Sequence, residues 1–329
     1  VSDELAVTDG NKLLTDIISE QSIADVSLGS FLSGGIDSTL VSAILQSNSS
    51  IPVETFTIGF PQKEFDEAGY AKEISKHLGT NHNELYIGSS EILEYVAKVP
   101  DIFDEPFADS SAIPMSIVSN FAKESVSVCL SGDGGDELFC GYNRYFMGSA
   151  SSNFVNRMPE FSSSLVSSLI KSVSPETISN IYGAIKTLSC SKRSSNFGAK
   201  AHKFADILDL REPSEIYGYL SSYWQIPRDI LISGYESYDA FNGFDFTNDF
   251  IGESMLWDQL HYLPGDNLVK GDLCSMSNSL ELRVPLLDKR FIEYAWKVPN
   301  SMKYRDGKSK WLLREILYKY VPRKMIDRP

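Results

Sequence analysis

The chain has 329 residues, room for one large or two ordinary domains, and 42% of them are hydrophobic, enough to fill a sizeable core. A formal charge of −14 argues against broad binding to nucleic acid or an anionic membrane, yet is compatible with a local basic pocket for a nucleotide. No run is long and apolar enough to cross a bilayer, no secretory leader is visible, and the four cysteines (Cys129, Cys140, Cys190, Cys274) form no CxxC pair. With four histidines and no HExxH pattern, the expectation is a cytoplasmic protein with free thiols and no zinc site. An opening Val1 and a final Arg328-Pro329 suggest part of a longer protein.

In chain order, residues 1–24 read as a leading helix. Val26–Leu32 is an apolar run that reads as a buried strand, and a helix over 37–47 follows, with apolar residues at 40, 41, 44 and 45. Further strands are expected at Val53–Ile58, Asn83–Ile87 and Val126–Leu130, separated by helical patterns over 65–78, 89–98 and 111–124. Such alternation means an α/β fold: a parallel sheet with helices on both faces and ligands at the carboxyl ends of the strands. From Met147 to Ser195 serine is frequent, but interspersed Leu, Ile, Val and Phe indicate packed helices rather than disorder, over 151–188 and again over 199–223. Asn242–Asn248 reads as a loop. Helices resume over 250–263, 266–279, 289–296 and 308–320. The expected division is an α/β core over 1–146, a helical insertion over 147–250, and a largely helical C-terminal part over 251–329 that completes the site.

Two loops carry the chemistry. Ser33-Gly34-Gly35-Ile36-Asp37-Ser38 lies between the first strand and its helix. The glycines leave backbone N–H groups facing an anion, the helix N-terminus adds partial positive charge, and two serines can donate hydroxyls. Asp37 is the odd member, because a carboxylate beside a phosphate is repulsive unless a cation sits between them; Mg²⁺ held by one or two carboxylates plus phosphate oxygens is the usual solution. The competing reading makes Asp37 a helix cap and the glycines a tight turn. The strand Val126–Leu130 ends in Ser131-Gly132-Asp133-Gly134-Gly135-Asp136-Glu137, which opens on the same edge if both strands share one sheet. One loop then offers amides and hydroxyls and the other carboxylates, a combination suited to a metal-bound polyphosphate. Of Asp133 and Asp136, one can bind metal with Asp37 while the other acts as a base or substrate contact. Glu137 is either a metal ligand or a favourable first-turn acid.

SGGIDS resembles the phosphate loop of the ATP pyrophosphatases, and four more segments narrow the match: Glu105–Pro114 (EPFADSSAIP), Leu130–Tyr142, Ser275–Asp288 (SMSNSLELRVPLLD) and Gly307–Glu315 (GKSKWLLRE). In this order the chain is similar to the synthetase domain of the glutamine-hydrolysing asparagine synthetases, most weakly across 147–250. The resemblance implies an adenine nucleotide alpha hydrolase-like fold and an adenylating ligase: ATP activates the side-chain carboxylate of aspartate, pyrophosphate leaves, and ammonia attacks to give asparagine and AMP. It implies ATP and Mg²⁺ as cofactors. Ser33, Gly34, Gly35, Asp37 and Ser38 match the pyrophosphate loop, Asp37 and Asp136 the Mg²⁺ carboxylates, and Ser131 and Gly132 positions near the nucleotide. Leu32 and Ile58 lie where such domains line the adenine pocket. Asp133 matches an acid placed to assist ammonia attack, and Lys310 a lysine that stabilises developing charge and contacts pyrophosphate, with Lys308 the alternative in register. Lys270 and Asp272 look like the polar edge of the cleft, and Glu281–Arg283 is either part of it or a structural ion pair.

Two positions depart from the pattern: Cys140 stands where glycine is usual, and Leu273 where arginine often follows Asp272. The family's amino-terminal glutaminase domain is not within these residues, so it is an expected partner and free ammonia the nitrogen source for this part alone. A surface bared by its removal would favour self-association as a homodimer. Two other readings compete: a relative that amidates another carboxylate, such as a sugar uronate in polysaccharide biosynthesis, and a homologue that binds nucleotide without catalysis. A Walker A loop at Gly307-Lys308-Ser309 is excluded, because Met302 stands where its first glycine is needed.

Overall fold

The computed structural model describes residues 2–62, 66–187, 197–222 and 240–327. Cys190 and the expected helix limits at Phe65, Leu188 and Tyr223 lie outside them. Two compact units are present, one formed by the segments 1–141 and 258–329 and the other by 142–257.

The first unit is built on five parallel strands: β1 (Leu28–Phe31), β2 (Glu54–Gly59), β3 (Asn81–Tyr86), β4 (Val128–Leu130) and β5 (Glu281–Arg283). Their order is β3-β2-β1-β4-β5, with Ser30 opposite Thr55 on one side and Leu130 on the other. Side chains alternate across the sheet, which divides the core. Leu32 and Leu130 point into a cluster with Leu14, Ile17, Leu40, Ile44, Leu313 and Ile316, while Phe56 and Cys129 face Ala122, Val126 and Leu280 on the other side. The first face is covered by helices Asp3–Gln21, Ile36–Ser47 and Trp311–Leu317, the second by Ala112–Lys123 and Leu268–Met276. Helix Ile36–Ser47 buries Leu40, Val41, Ile44 and Leu45, the spacing read from the sequence.

The chain runs outward from β1 through β2 to β3, then returns to place β4 on the other side of β1. The loops after β1 and β4 therefore flank the crevice where strand order reverses, the usual ligand position in an open parallel sheet.

Three elements differ from expectation. β5 has only three residues and one apolar side chain, too short for a period to register; it exists because β4 offers it a parallel ladder. The helix expected from 308 begins at Trp311, because Tyr304–Arg305 and Lys308–Ser309 form a small antiparallel hairpin (β6 and β7). Its two-residue turn, Asp306-Gly307, has φ of 52° and 76°, the left-handed pair that an Asp-Gly turn provides. Asp258–Asn267 is one π-helical segment, running across the gap between the helices expected over 250–263 and 266–279; the wider turn accommodates the Pro264 ring, which would crowd the preceding carbonyl of an α-helix.

The second unit is helical, with Asn143–Arg157, Glu160–Lys171, Pro175–Thr187, Phe197–Leu208, Pro213–Ser221 and Phe250–Trp257. Its centre is the buried Tyr217, ringed by Tyr145, Phe241, Phe246, Phe250 and Trp257.

Candidate active site

The turn after β1 is held by its own serines. Ser33 N–H donates to Ser38 Oγ at 3.2 Å, the two hydroxyls lie 2.9 Å apart, and Gly35 N–H donates to Ser33 Oγ at 3.2 Å. Gly34 has φ 81°, the left-handed conformation that lets the chain reverse without strain. Gly35 then occupies the N-cap of Ile36–Ser47 and contributes no side-chain cap, leaving that end of the helix without a built-in oxygen. Leu32 is buried, with its N–H donating to Phe56 O at 2.9 Å, and the half-buried Ile58 stands near the carboxyl end of β2, one strand over.

The loop after β4 is pressed against this turn. A Cβ on Gly132 would come within 2.5 Å of Ser38 N and 2.7 Å of Asp37 C, and one on Gly135 within 2.4 Å of Asp37 Cγ. These two glycines are what let the loops touch. Gly134 (φ 88°) turns the chain into the short helix Gly135–Leu138. Ser131 Oγ donates to Asp133 Oδ2 at 2.8 Å, which fixes that carboxyl. Glu137 is buried and accepts from Asn267 Nδ2 at 2.9 Å, which ties the short helix to the π-helix.

Lys310 enters from the hairpin and joins the two loops. Its ammonium is bonded to Asp37 Oδ2 and lies 2.7 Å from Asp136 Oδ1. One nitrogen touches both acids, so a single cation can bridge their carboxylates. The Lys310 backbone is left-handed (φ 56°, ψ 36°), with its N–H donating to Phe139 O at 3.0 Å. That conformation costs about 1 kcal/mol or more for a non-glycine residue, and it aims the side chain inward. Lys308 points away, pairing with Asp327 at 2.9 Å. Gly141 clears the lane: a Cβ there would fall 1.8 Å from Asp136 Oδ1 and 2.3 Å from Lys310 Cε.

The charges in the crevice are unbalanced towards acid. Burial pushes the Asp37 carboxyl up to about 6; Lys310 opposes the rise, while Asp136 and Asp133 add to it. Asp133 is also raised, mainly by burial, against the pull of Ser131 and Lys270. For Lys310, burial acts to lower the pKa, but the two carboxylates outweigh it and hold the ammonium charged. Asp37 Oδ1 is buried with no hydrogen-bond partner, a cost that a bound cation would remove. Among the described residues no three acids, histidines or cysteines cluster to hold a metal. A carboxylate pair with an orphaned oxygen nevertheless fits Mg²⁺, which takes one or two carboxylates and completes its shell with phosphate and water.

A second polar group borders the first. Lys270 is bonded to Asp109 and donates to Asn267 Oδ1 at 3.0 Å, while Ser111 donates to Asp109 from its N–H and its hydroxyl, both at 2.8 Å. Burial would raise the Asp109 carboxyl, but Lys270 and Ser111 hold it below the usual range. Asp272 is exposed, and Leu273 packs into the apolar cluster of Phe103, Ala112 and Cys274. Arg283 is held by structure: Nε pairs with Glu281 at 2.7 Å and Nη1 donates to Gln21 O at 2.6 Å, closing the end of the first helix. Cys140 adopts φ 60°, so this buried thiol sits in the conformation glycine prefers.

Ser33, Gly34, Gly35, Asp37, Ser38, Ser131, Gly132, Asp133, Asp136 and Lys310 thus come together where the two loops meet, while the Leu32 side chain is enclosed in the core. Sequence reasoning missed Gly135 and Gly141 as space-makers and Asp109 as the partner of Lys270. The only signal for the glycines was the density of that residue in GDGGDELFCG.

Comparison with known proteins agrees with this architecture. The family described as asparagine synthase matches residues 9–329. The chain is 33% identical over 307 residues to asparagine synthetase [glutamine-hydrolyzing] 1 of Bacillus subtilis, an alignment covering 93% of this chain and 46% of that protein. It is 36% identical over 177 residues to a putative asparagine synthetase [glutamine-hydrolyzing] 2 of Methanocaldococcus jannaschii, covering 54% and 34%, and 26% identical over 327 residues to the Gallus gallus asparagine synthetase, covering 94% and 52%. The chain spans about half the length of the curated relatives it matches over most of its residues. This chain belongs to the asparagine synthase family.

Proposed function

We propose that this chain is the ATP-dependent part of an amide-forming ligase that converts aspartate to asparagine. The carboxylate attacks the α-phosphorus of ATP, pyrophosphate leaves, and ammonia displaces AMP from the acyl-adenylate. The observation that carries the reading is the convergence of Lys310, Asp37 and Asp136 at the crevice between β1 and β4. The serine-braced turn Ser33–Ser38 supplies donors at a helix N-terminus for the departing pyrophosphate. The half-buried Ile58 offers apolar surface to the adenine, while Leu32 supports the turn from within the core. Lys310 stabilises the negative charge that develops on the phosphate oxygens. Asp133, with its raised carboxyl, takes a proton from the attacking nitrogen. Asp37 and Asp136 would hold Mg²⁺, which neutralises polyphosphate charge when bound. In the full-length protein the ammonia would come from a glutaminase domain, in keeping with the "glutamine-hydrolyzing" names of the relatives.

A second reading is amidation of a different acid such as a uronate, with which the GDGGDELF and PFADSSAIP segments are compatible. Pyrophosphate release separates the two. The full-length protein with ATP, Mg²⁺ and ammonium should release pyrophosphate only when aspartate is added. Release with a uronate and not with aspartate would transfer the assignment to the second reading, and no release with any acid would reject catalysis.

A further inference from the structure

We propose that Lys310 is an internal counterion: it holds the metal position in the nucleotide-free protein, so that a divalent ion binds well only together with a polyphosphate that can receive the displaced ammonium. This rests on the reading of Asp37 and Asp136 as the metal carboxylates.

The geometry makes the two cations rivals. Lys310 Nζ is bonded to Asp37 Oδ2 and to Asp136 Oδ1, one oxygen of each carboxylate that would hold the metal. Both side chains of the Asp37–Lys310 pair are about nine-tenths buried, exposed by only 12% and 9%. In such a setting a metal beside the ammonium would meet strong, weakly screened repulsion. The lysine backbone cannot retreat, because its N–H is tied to Phe139 O at 3.0 Å and its carbonyl accepts from Arg314 N–H at 2.9 Å. Only the side-chain stem can swing; Gly141 lies against Lys310 Cε and Asp136 Oδ1, and its missing Cβ is what lets both groups sit there. A bare metal ion would therefore leave the ammonium in the same crevice without an anion, whereas a metal–polyphosphate brings one. The unpartnered Asp37 Oδ1 shows that lysine satisfies only part of the carboxylate. The ammonium is thus a place-holder, and a cation making several oxygen contacts is the better partner once its charge is shared.

Mn²⁺ binding to the full-length protein, measured without nucleotide by titration calorimetry and by the thermal stabilisation that Mn²⁺ confers, tests this. Lys310→Met should bind Mn²⁺ about tenfold or more tightly than wild type, since a like charge has been removed from the site. It should also gain more in melting temperature from Mn²⁺, because its carboxylates have lost their counterion. Lys310→Gln, a more polar replacement, should behave in the same way, and Lys310→Arg should remain like wild type. Asp37→Asn should abolish the gain in the Lys310→Met background. If both neutral variants bind Mn²⁺ no more tightly than wild type while Asp37→Asn still weakens binding, the counterion idea is wrong and the metal site stands. If Asp37→Asn changes nothing in any background, the metal is not at this pair, and both the counterion idea and the metal reading beneath it fall.

Discussion

Gly132, Gly135 and Gly141 act alike: each leaves room for a charged group or its backbone to come closer than any Cβ would allow. Replacing Gly135 by alanine drives a methyl group to within 2.4 Å of Asp37 Cγ, so the loops must separate. The expected result is a loss of roughly 1–3 kcal/mol in stability from overpacking and about 100-fold or more in pyrophosphate release from misplacement of the carboxylate, measured by urea unfolding and by coupled assay. Asp37 also predicts a pH dependence. Its carboxyl is raised to about 6, so below that pH a proton competes with the metal, and above it the carboxylate is free to bind. Mn²⁺ affinity should rise with pH through about 6 and then level off, and Asp37→Asn should flatten the profile. At this scale the polar residues were legible in the sequence, because serines, glycines and acids at a strand–helix junction state their chemistry directly. The glycine contacts were not, since they depend on which loop lies opposite, and strand order is not written locally.

Helices and strands with a clear period were legible at the scale of elements. Helix Ile36–Ser47 follows from apolar residues whose spacing matches its buried face, and strand β4 from a short apolar run that is buried throughout. β5 was not legible, because Glu281-Leu282-Arg283 has no period and acquires its conformation from pairing with β4. The Asp306-Gly307 turn did carry a local signal, but it was submerged in the helical pattern that follows. That hairpin matters, since it delivers Lys310 in its left-handed conformation to the crevice. Arg283, at the end of β5, donates to Gln21 O and Ile23 O while pairing with Glu281, and so ties the sheet edge to the first helix. Arg283→Ala should cost roughly 1–3 kcal/mol, the range for hydrogen bonds made by a charged group. In urea unfolding its midpoint should fall with an unchanged slope. Pyrophosphate release by the folded fraction should be retained, which would separate a tie between elements from a substrate contact.

The whole molecule has two units with different cores. One is layered around a parallel sheet, and the other is gathered around aromatic rings with Tyr217 at the centre. Tyr217→Ala should cost about 3–5 kcal/mol, as truncation of a large buried aromatic does. Hydrogen exchange should locate the loosening first in the 142–257 unit. The central claim concerns the other unit: the crevice between β1 and β4 joins an acid to AMP before ammonia arrives. Its most direct test follows oxygen. Aspartate labelled with ¹⁸O in its side-chain carboxylate should be turned over by the full-length protein with ATP, Mg²⁺ and ammonium, and the AMP analysed by mass spectrometry. Attack of the carboxylate on the α-phosphorus transfers one labelled oxygen to each AMP. Unlabelled AMP, or label recovered in inorganic phosphate with ADP as the nucleotide product, would contradict the account.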